Sequence, residues 1–396
     1  MEQVAIPAAF MRGGTSKGLV FDRRHLPADR EAWAPIFLAA VGSPDPHGRQ
    51  LDGMGGGLSS LSKVCVVDRP TRDDADLDYV FGQVEVRDAR VDFSGSCGSM
   101  ASAIGPFAVD EGLLEAGPDG TRTVRIHIVN AGRIILARFP VRGGRAAVDG
   151  GQAMDGVAGT GAPVRLDFLE PGGGATGRLL PTGHAADTID VPGLGAVEYS
   201  FVDAGNPCMF VAAAAVGAAG PELPAAIEAA PGMLERLETI RRHVSVATGA
   251  ARDLAEAARV STPRIAFVSR MVAATATLSG RELAAHDADL MVRMIARGLP
   301  NRAVPVTTAL CLAVACKLPG TLPYRLVGSD AAAGADVRIA HPSGVWAVGA
   351  EVEAHAAGYQ ARRASITLTA RRLFQGQVLV PKSRLAAAPS PGWRAA

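Results

Sequence analysis

Two residues with the chemistry to move a proton stand out in this chain of 396 residues, Cys97 and Lys63. Cys97 lies in the segment Ser94 to Met100 (SGSCGSM), directly before the apolar run Ala101 to Val109. The run predicts a buried helix, so Cys97 would lie at its first turn, where unpaired N–H groups and the helix dipole favour an anion. Such a turn favours a thiolate and can also hold a substrate carboxylate. The alternative is a cysteine that serves only as a small buried side chain.

Lys63 begins the apolar strand Lys63 to Val67 after a glycine-rich loop. Alternation along the strand places it on the same side as Cys65. A lysine with little water around it loses its proton more readily and can act as a general base. A lysine that only caps the end of a strand is the alternative.

The other cysteines carry weaker signals. Cys65 alternates with valines and is interpreted as strand core, whereas Cys208 follows a Gly-Asn-Pro turn and remains ambiguous. Cys311 and Cys316 are five residues apart in an apolar helix, which places them on different faces. The eight histidines do not come within helical ligand spacing of one another. The sequence therefore predicts no metal site.

The composition of the chain limits the kinds of molecule that the protein is expected to bind. The chain has 40 basic and 39 acidic side chains, a net charge of +1, and therefore no basic field for nucleic acid or an anionic membrane. Its longest apolar stretch, Met209 to Ala219, is too short to cross a bilayer, and an acidic residue stands where a signal peptide needs basic ones. Five scattered cysteines fit a reducing compartment. We expect a cytoplasmic protein with a small-molecule ligand.

The length of the chain and the positions of its glycines and prolines predict an α/β protein of two halves. Short strands alternate with turns in both halves, and two helices, Ala101 to Val109 and Thr307 to Leu318, are apolar on every face. Helices of that kind are buried all round, so each half is expected to wrap a sheet around one central helix. Whether Pro106 kinks or ends the first helix stays open. Further helices are predicted over Met233 to Val246 and over Asp287 to Ala296.

The predicted first half covers residues 1–185, with strands of about 368–396 returning to it, and the second covers 186–367. The boundary is placed where glycines and prolines are densest, between Asp149 and Gly183. The last residues, Ala386 to Ala396, are rich in alanine and proline and predict a disordered tail.

With these residues in view, the chain resembles the PrpF family, which includes isomerases of 2-methylaconitate and methylitaconate and the tautomerase of 4-oxalomesaconate. The resemblance spans nearly the whole sequence. The segments that carry it are Phe10 to Gly18, Gly42 to Pro46, Gln50 to Gly56, Ser62 to Val64, Cys97 to Met100, Ile104 to Val109, Ala204 to Cys208 and His341 to Val345. It implies a diaminopimelate epimerase-like fold, with two similar α/β halves and the active site in the cleft between them.

The resemblance also implies roles for individual residues. Lys63 and Cys97 match the two proton-transfer candidates of the family, with Lys63 as the leading base and Cys97 as proton donor or carboxylate-site residue. The substrate-binding residues that it implies are Thr15, Ser16, Gly98, Ser99, Met100, Asn206, Thr307 and Thr308.

Two departures from related patterns bear on the chemistry. Thr307 and Thr308 lie where epimerases of this fold carry a second cysteine, which disfavours a racemase with two thiols. Ser99 stands where the family commonly has asparagine, which affects how one carboxylate is held.

The resulting hypothesis is a cofactor-independent isomerase of unsaturated di- or tricarboxylic acids, working by proton abstraction and allylic reprotonation. One alternative is an amino-acid racemase or epimerase on the same fold, with Thr307 or Cys208 as the second proton donor. Another is a non-catalytic accessory protein that binds an iron–sulphur dehydratase. The choice of acid and the oligomeric state stay open, a homodimer being one expectation.

Overall fold

The computed structural model describes residues 2–386 apart from 261, 297, 335 and 357. The last ten residues, which include most of the predicted disordered tail, lie outside the described residues. The strands are β1 Gln3–Gly13, β2 Ser16–Asp22, β3 Lys63–Asp68, β4 Leu77–Val84, β5 Val91–Asp92, β6 Gly120–Ile128, β7 Arg133–Arg142, β8 Arg145–Ala146, β9 Gln152–Met154, β10 Val157–Gly161, β11 Pro163–Leu169, β12 Asp187–Val191, β13 Gly195–Ala204, β14 Asn206–Ala212, β15 Arg264–Ser269, β16 Thr275–Ala276, β17 Glu282–Leu283, β18 Leu290–Ala296, β19 Leu299–Pro300, β20 Asp336–His341, β21 Gly344–His355 and β22 Gly358–Pro381. The helices are α1 Trp33–Val41, α2 Gly98–Asp110, α3 Pro224–Ala229, α4 Met233–Ala247, α5 Leu254–Ala257, α6 Val306–Ala315, α7 Leu322–Leu326, α8 Ser329–Ala333 and α9 Lys382–Ala386.

The chain forms two compact units. The first holds the residues up to Ala153, the segment Gly159–Leu166 and the chain from Leu368 onwards, and the second holds Met154–Ala158 and Asp167–Thr367. The predicted boundary at residue 185 lies inside the second unit, because the glycine-rich segment after Asp167 packs there. Within this segment, Gly173 N–H donates a backbone hydrogen bond of 2.9 Å to Asp203 O.

In the first unit the sheet runs around helix α2. Strand β1 pairs antiparallel with β2, β2 parallel with β3, β3 antiparallel with β4, β4 parallel with β6, and β6 antiparallel with β7. Strand β11 pairs with β7 and with β22, and β22 pairs with β1, so the pairings close on themselves. Every residue of α2 from Gly98 to Val109 is buried. The predicted central helix is confirmed, and it continues through Pro106 to Asp110.

The second unit repeats this order of strands around α6. The pairings are β13 with β14 antiparallel, β14 with β15 parallel, β15 with β18 antiparallel, β18 with β20 parallel, and β20 with β21 antiparallel. All ten residues of α6 are buried. Helix α4 packs on the opposite face of the sheet, in a cluster with Met209, Val211 and Phe267. The predicted architecture of a sheet around one central helix is therefore present in both units.

The predicted helix over Asp287 to Ala296 is wrong. Leu290–Ala296 forms the central strand β18, between β15 and β20. The run Leu-Met-Val-Arg-Met-Ile is buried on both faces of the sheet, and a largely apolar run of this length fits a central strand as well as a buried helix. No helix among the described residues is long and apolar enough to cross a membrane.

Candidate active site

The turn between β1 and β2 lies against the first turn of α2. Gly14 has a φ of +52°, which glycine adopts without strain. A Cβ atom on Gly13 would lie 2.5 Å from Ser99 O, so only glycine allows this approach. Thr15, in the turn, is half-buried, and Ser16, which begins β2, is buried. The glycines of the turn thus place Thr15 and Ser16 beside the start of the helix.

Lys63 begins β3, and its ammonium lies in a sheltered position. The residue is 9% exposed, and Nζ donates a hydrogen bond of 2.6 Å to Gln83 Oε1. The same Nζ lies 5.0 Å from the centre of the Phe81 ring. Lys63 is thus held out of bulk water at the start of the strand, with its ammonium beside an amide oxygen and an aromatic face.

Gln83 is fixed in place by the carbonyl groups around it. Its Nε2 donates to Ser59 O and Ser62 O, both at 3.0 Å, which directs Oε1 toward Lys63. Gln83 lies directly opposite Lys63 in the β3–β4 ladder. The sequence analysis missed this residue, because the register that pairs the two strands cannot be read from either strand alone.

Cys97 caps the N-terminus of α2 with an extended backbone conformation, φ −122° and ψ 100°. Its carbonyl accepts hydrogen bonds from Ala101 N at 3.1 Å and from Tyr79 Oη at 3.4 Å. The side chain is half-buried and its thiol is free of any disulfide. Tyr79 was also missed by the sequence analysis.

Cys65 connects the two candidate catalytic residues. Its Sγ lies 3.7 Å from Tyr79 Oη. Burial raises the pKa of the Cys65 thiol, Cys97 raises it further, and Lys63 acts in the opposite direction. Burial likewise holds the pKa of Tyr79 well above its ordinary value, so its hydroxyl remains a donor. Cys65 interacts with both Lys63 and Cys97, which places these residues in one neighbourhood.

The first turn of α2 consists of Gly98, Ser99 and Met100, which come directly after Cys97 and are all buried. The first N–H groups of a helix have no carbonyl partner within the helix, and the dipole is positive at this end. Together with the β1–β2 turn, this helix start can hold an anionic oxygen beside Lys63 and Cys97.

In the second unit a polar group lies at the start of α6. Asn206 Nδ2 donates to Thr307 Oγ1 at 2.6 Å, and Arg264 Nη1 donates to the same oxygen at 3.4 Å. Both hydrogen bonds are donated to the hydroxyl oxygen, so the Thr307 hydroxyl can still donate its own proton. Asn206 follows Gly205, whose φ of +81° lets β13 and β14 join in one tight turn.

Thr308 lies next to a pair of buried thiols. Cys208 Sγ contacts Thr308 Oγ1 at 3.7 Å, and Cys311 Sγ donates to Val202 O at 3.2 Å. Burial acts to raise the pKa of Cys208, but its hydrogen bond with Cys311 and the nearby Arg264 charge outweigh this, and the pKa is lowered. Burial and the neighbouring Cys208 raise the pKa of Cys311.

The repeated strand order makes Arg264 the counterpart of Lys63. Lys63 is the first residue of β3 and pairs with Gly18, the third residue of β2. Arg264 is the first residue of β15 and pairs with Cys208, the third residue of β14. One unit therefore carries a lysine, and the other carries an arginine, at the same point of the same topology. Arg264 was missed by the sequence analysis, because the repeat is one of strand order and not of residues.

The predicted site residues thus fall into two groups. Thr15, Ser16, Lys63, Cys97, Gly98, Ser99 and Met100 lie together in the first unit, and Asn206, Thr307 and Thr308 lie together in the second. To these the structure adds Gln83 and Tyr79 in the first unit and Arg264 in the second.

Comparison with solved structures defines the class of fold. A hydroxyproline epimerase from Agrobacterium vitis superposes with a TM-score of 0.56 at 12% identity, covering 96% of this chain and 93% of the epimerase. At that identity the match shows the fold alone, an epimerase-like fold. A structure of methylitaconate-delta-isomerase matches with a TM-score of 0.80 at 35% identity and covers 100% of both chains.

Sequence relatives narrow the class to one family. A family model described as PrpF protein matches residues 3–381. The chain is 37% identical to a 2-methyl-aconitate isomerase from Cupriavidus necator, over 96% of this chain and 98% of the relative. It is 37% identical to a 3-methylitaconate isomerase from Eubacterium barkeri (97% and 99%) and 33% identical to a 4-oxalomesaconate tautomerase from Pseudomonas putida (96% and 97%). The chain belongs to the PrpF family and is an isomerase.

Proposed function

We propose that this protein isomerises an unsaturated di- or tricarboxylic acid by moving a proton and a double bond along its carbon chain. The observation that carries the proposal is the setting of Lys63, which is buried at the start of β3 with its Nζ bonded to Gln83 Oε1 and lying over the Phe81 ring, in the neighbourhood of Cys97. 2-Methylaconitate, methylitaconate and 4-oxalomesaconate, the acids in the names of the relatives, are the substrates to test first.

The reaction requires one base and one acid. The neutral amine of Lys63 takes a proton from the carbon allylic to the double bond, and the electron pair of that C–H bond delocalises through the double bond onto a carboxylate or keto oxygen. The Cys97 thiol then gives its proton to the carbon at the far end of the allylic system, which shifts the double bond. Proton transfer from the Lys63 ammonium to the Cys97 thiolate, through solvent, restores the starting forms, and no atom is gained or lost.

Charge on the intermediate is the main obstacle to this reaction. The amides of Gly98, Ser99 and Met100 at the start of α2 are positioned to stabilise an oxyanion where the charge develops. Each well-placed donor of this kind is worth ~3 to 4 kcal/mol in the transition state. In the second unit, the Thr307 hydroxyl can donate its proton to an anion, because Asn206 and Arg264 occupy its acceptor positions.

Arg264 favours an isomerase over a two-base racemase. A racemase needs a group on each side of the substrate that can both take and give a proton. A guanidinium stays protonated at any working pH, so the counterpart of Lys63 binds an anion and does not act as a base. We assign Arg264 to a substrate carboxylate.

The remaining part of the proposal is a cytoplasmic enzyme with a small-molecule partner, which rests on the scattered cysteines and the balanced charge.

Deuterium exchange tests the proposed function directly. Incubation with each of the three acids in D₂O is expected to give an isomerised product that carries deuterium at the reprotonated carbon, detected by NMR and mass spectrometry. The protein heated to unfolding is the control. If none of the three acids exchanges or isomerises, the proposed activity is wrong; if a protein partner co-purifies without any such activity, the accessory hypothesis gains support.

Replacing Arg264 separates binding from chemistry. The Arg264→Met variant is expected to raise KM by about 10- to 100-fold, because a hydrogen bond to a charged group contributes roughly 1.5–3 kcal/mol, while kcat changes less. Arg264→Lys keeps the charge and is expected to recover part of the affinity. Arg270→Met, which removes another arginine of the second unit that bonds to Arg325 O, is the matched control. Unchanged KM values in Arg264→Met would remove the carboxylate assignment.

A further inference from the structure

A glutamine side chain is enclosed in the glycine-rich loop that leads to Lys63. Gln50 is 1% exposed, although it belongs to the loop between α1 and β3. Its Nε2 donates to Ser43 Oγ at 2.7 Å, and its Oε1 accepts hydrogen bonds from Gly57 N at 2.9 Å and from Ser62 Oγ at 2.6 Å. A buried amide is costly unless it is hydrogen-bonded, so these bonds fix the side chain in one orientation. Gln50 therefore joins the beginning of the loop to its end.

The backbone of Gln50 is held in an uncommon conformation. Its φ of +54° lies in the left-handed region, which a residue with a Cβ atom seldom adopts. Gln50 N–H donates to the carboxylate of Asp45, which also accepts from the N–H groups of His47 and Arg49. A Cβ atom on Gly55 would lie 2.3 Å from Gln50 Oε1, so the loop closes tightly around the amide. Backbone strain of this kind persists only where the surrounding structure over-determines it, and it is common at functional sites.

The hydrogen bonds continue from Gln50 to the proposed base. Ser62, which donates to Gln50, is fully buried and comes directly before Lys63 in the chain. The Ser62 carbonyl accepts from Gln83 Nε2 at 3.0 Å, and Gln83 Oε1 accepts from Lys63 Nζ at 2.6 Å. One serine thus links two buried glutamines. The first glutamine holds the loop, and the second holds the side chain of Lys63.

We propose that Gln50 is a positioning residue for Lys63 and acts through Ser62 and Gln83. This inference rests on the proposed function, in which Lys63 takes a proton from the substrate. A base must lie within hydrogen-bond reach of that proton, and a displacement of about 1 Å can lower the rate by about 10²-fold. Without the Gln50 amide, Ser62 loses its bond to the beginning of the loop, and the carbonyl that holds Gln83 is no longer fixed.

A glutamine that served only the stability of the loop would have a different signature. Its replacement would lower the free energy of unfolding, but the folded molecules would keep the turnover of the wild type. Positioning instead predicts a lower kcat in molecules that are fully folded. KM is expected to change little, because the hydrogen bonds of Gln50 go to the loop and not to the substrate-binding residues.

Kinetics of matched variants of the full-length protein test the proposal. Gln50→Met keeps the length of the side chain without its hydrogen bonds, and it is expected to lower kcat and deuterium exchange by about 10- to 100-fold. Gln50→Glu keeps an acceptor for Ser62 and is expected to recover part of kcat. Ser62→Ala removes the donor to Gln50 and is also expected to lower kcat. The double variant Gln50→Met/Ser62→Ala should be no slower than the slower single variant, because both substitutions break the same hydrogen bond.

Asp78→Asn is the matched control. Asp78 lies on the same β3–β4 ladder as Lys63 but at the opposite end, where it pairs with Asp68, and it is 2% exposed. Its carboxylate accepts a hydrogen bond from Thr71 Oγ1 and lies 2.9 Å from His127 Nδ1. The variant is expected to unfold at a lower temperature and to keep the wild-type kcat. Circular dichroism identifies the temperature range in which each variant is folded, and kcat is compared within it.

Chemical labelling of Lys63 distinguishes a failure of this inference from a failure of the proposed function. Acetic anhydride at limiting concentration, followed by peptide mass spectrometry, measures the reactivity of Lys63 relative to Lys17 in the absence of substrate. If Gln50 holds Lys63 through Gln83, the ratio is expected to rise in Gln50→Met and in Ser62→Ala and to stay unchanged in Asp78→Asn.

Two results would overturn the positioning role. One is an unchanged labelling ratio in the folded Gln50→Met or Ser62→Ala variant, and the other is a wild-type kcat in either of them. A ratio that rises in a protein that isomerises none of the three acids would overturn the proposed function and leave the hold of Gln50 on Lys63 supported.

Discussion

Lys63→Ala is expected to lower the turnover of the isomerisation by about 10²- to 10⁴-fold, the usual contribution of a positioned general base. The variant should also lose deuterium exchange into the unreacted substrate, because the C–H bond no longer breaks. Its KM is expected to change much less than its kcat. Steady-state kinetics and NMR exchange in D₂O measure the three quantities.

Two further variants separate the base from the charge. Lys63→Arg keeps a cation at this position but cannot take a proton, so it is expected to be as inactive as Lys63→Ala. Addition of a small primary amine is expected to restore part of the exchange in Lys63→Ala, since the cavity left by the side chain accepts it. Lys17→Ala is the matched control and should retain activity. It removes a lysine of β2 whose Nζ lies 5.8 Å from the centre of the Phe10 ring. A folded Lys63→Ala variant with wild-type turnover would remove the base assignment.

The architecture of each unit could be predicted from the sequence because the central helix of each unit has an unusual pattern of apolar residues. Helices α2 and α6 are apolar on every face, and only burial inside a sheet accommodates such a surface. The strand that begins at Lys63 followed from its alternation after a glycine-rich loop. The error at β18 has the same origin, because a largely apolar run with a single arginine carries no clear period to distinguish strand from helix.

The candidate site could be predicted only where one segment carries the signal. Cys97 and Lys63 were recognisable by their local context, a helix start and a strand that follows a glycine-rich loop. Gln83, Tyr79 and Arg264 were not, because each acquires its role through sheet register or through the repeated topology. A partner 20 residues away in sequence, as Gln83 is from Lys63, is chosen by pairing and not by spacing.

The repeat of strand order explains how one fold can serve different proton chemistry. A lysine at the start of β3 can exchange a proton, whereas the arginine at the start of β15 holds a permanent charge. The lysine position therefore suits proton transfer, and the arginine position suits the binding of an anion.

Cys97→Ala is expected to separate the removal of a proton from the substrate from the addition of a proton that forms the product. If Lys63 removes the proton and Cys97 supplies the new one, the variant should still exchange substrate hydrogen with D₂O, while product formation falls by about 10²- to 10⁴-fold. The ratio of exchange to product therefore rises in Cys97→Ala, whereas Lys63→Ala loses both. Mass spectrometry of substrate and product at matched times gives the ratio.

Cys97→Ser tests whether the sulphur or the turn around it matters. A serine hydroxyl keeps the size and the hydrogen-bonding capacity, but it gives up a proton far less readily than a thiol does, so we expect product formation to stay low if Cys97 is the acid. If the residue only helps to hold a carboxylate at the start of α2, Cys97→Ser should instead keep kcat and change KM. Cys316→Ala, which removes a buried thiol at the far end of α6, is the control and should leave the ratio unchanged. Equal losses of exchange and product in Cys97→Ala would mean that Cys97 acts in the same step as Lys63, and the assignment of separate acid and base would be wrong.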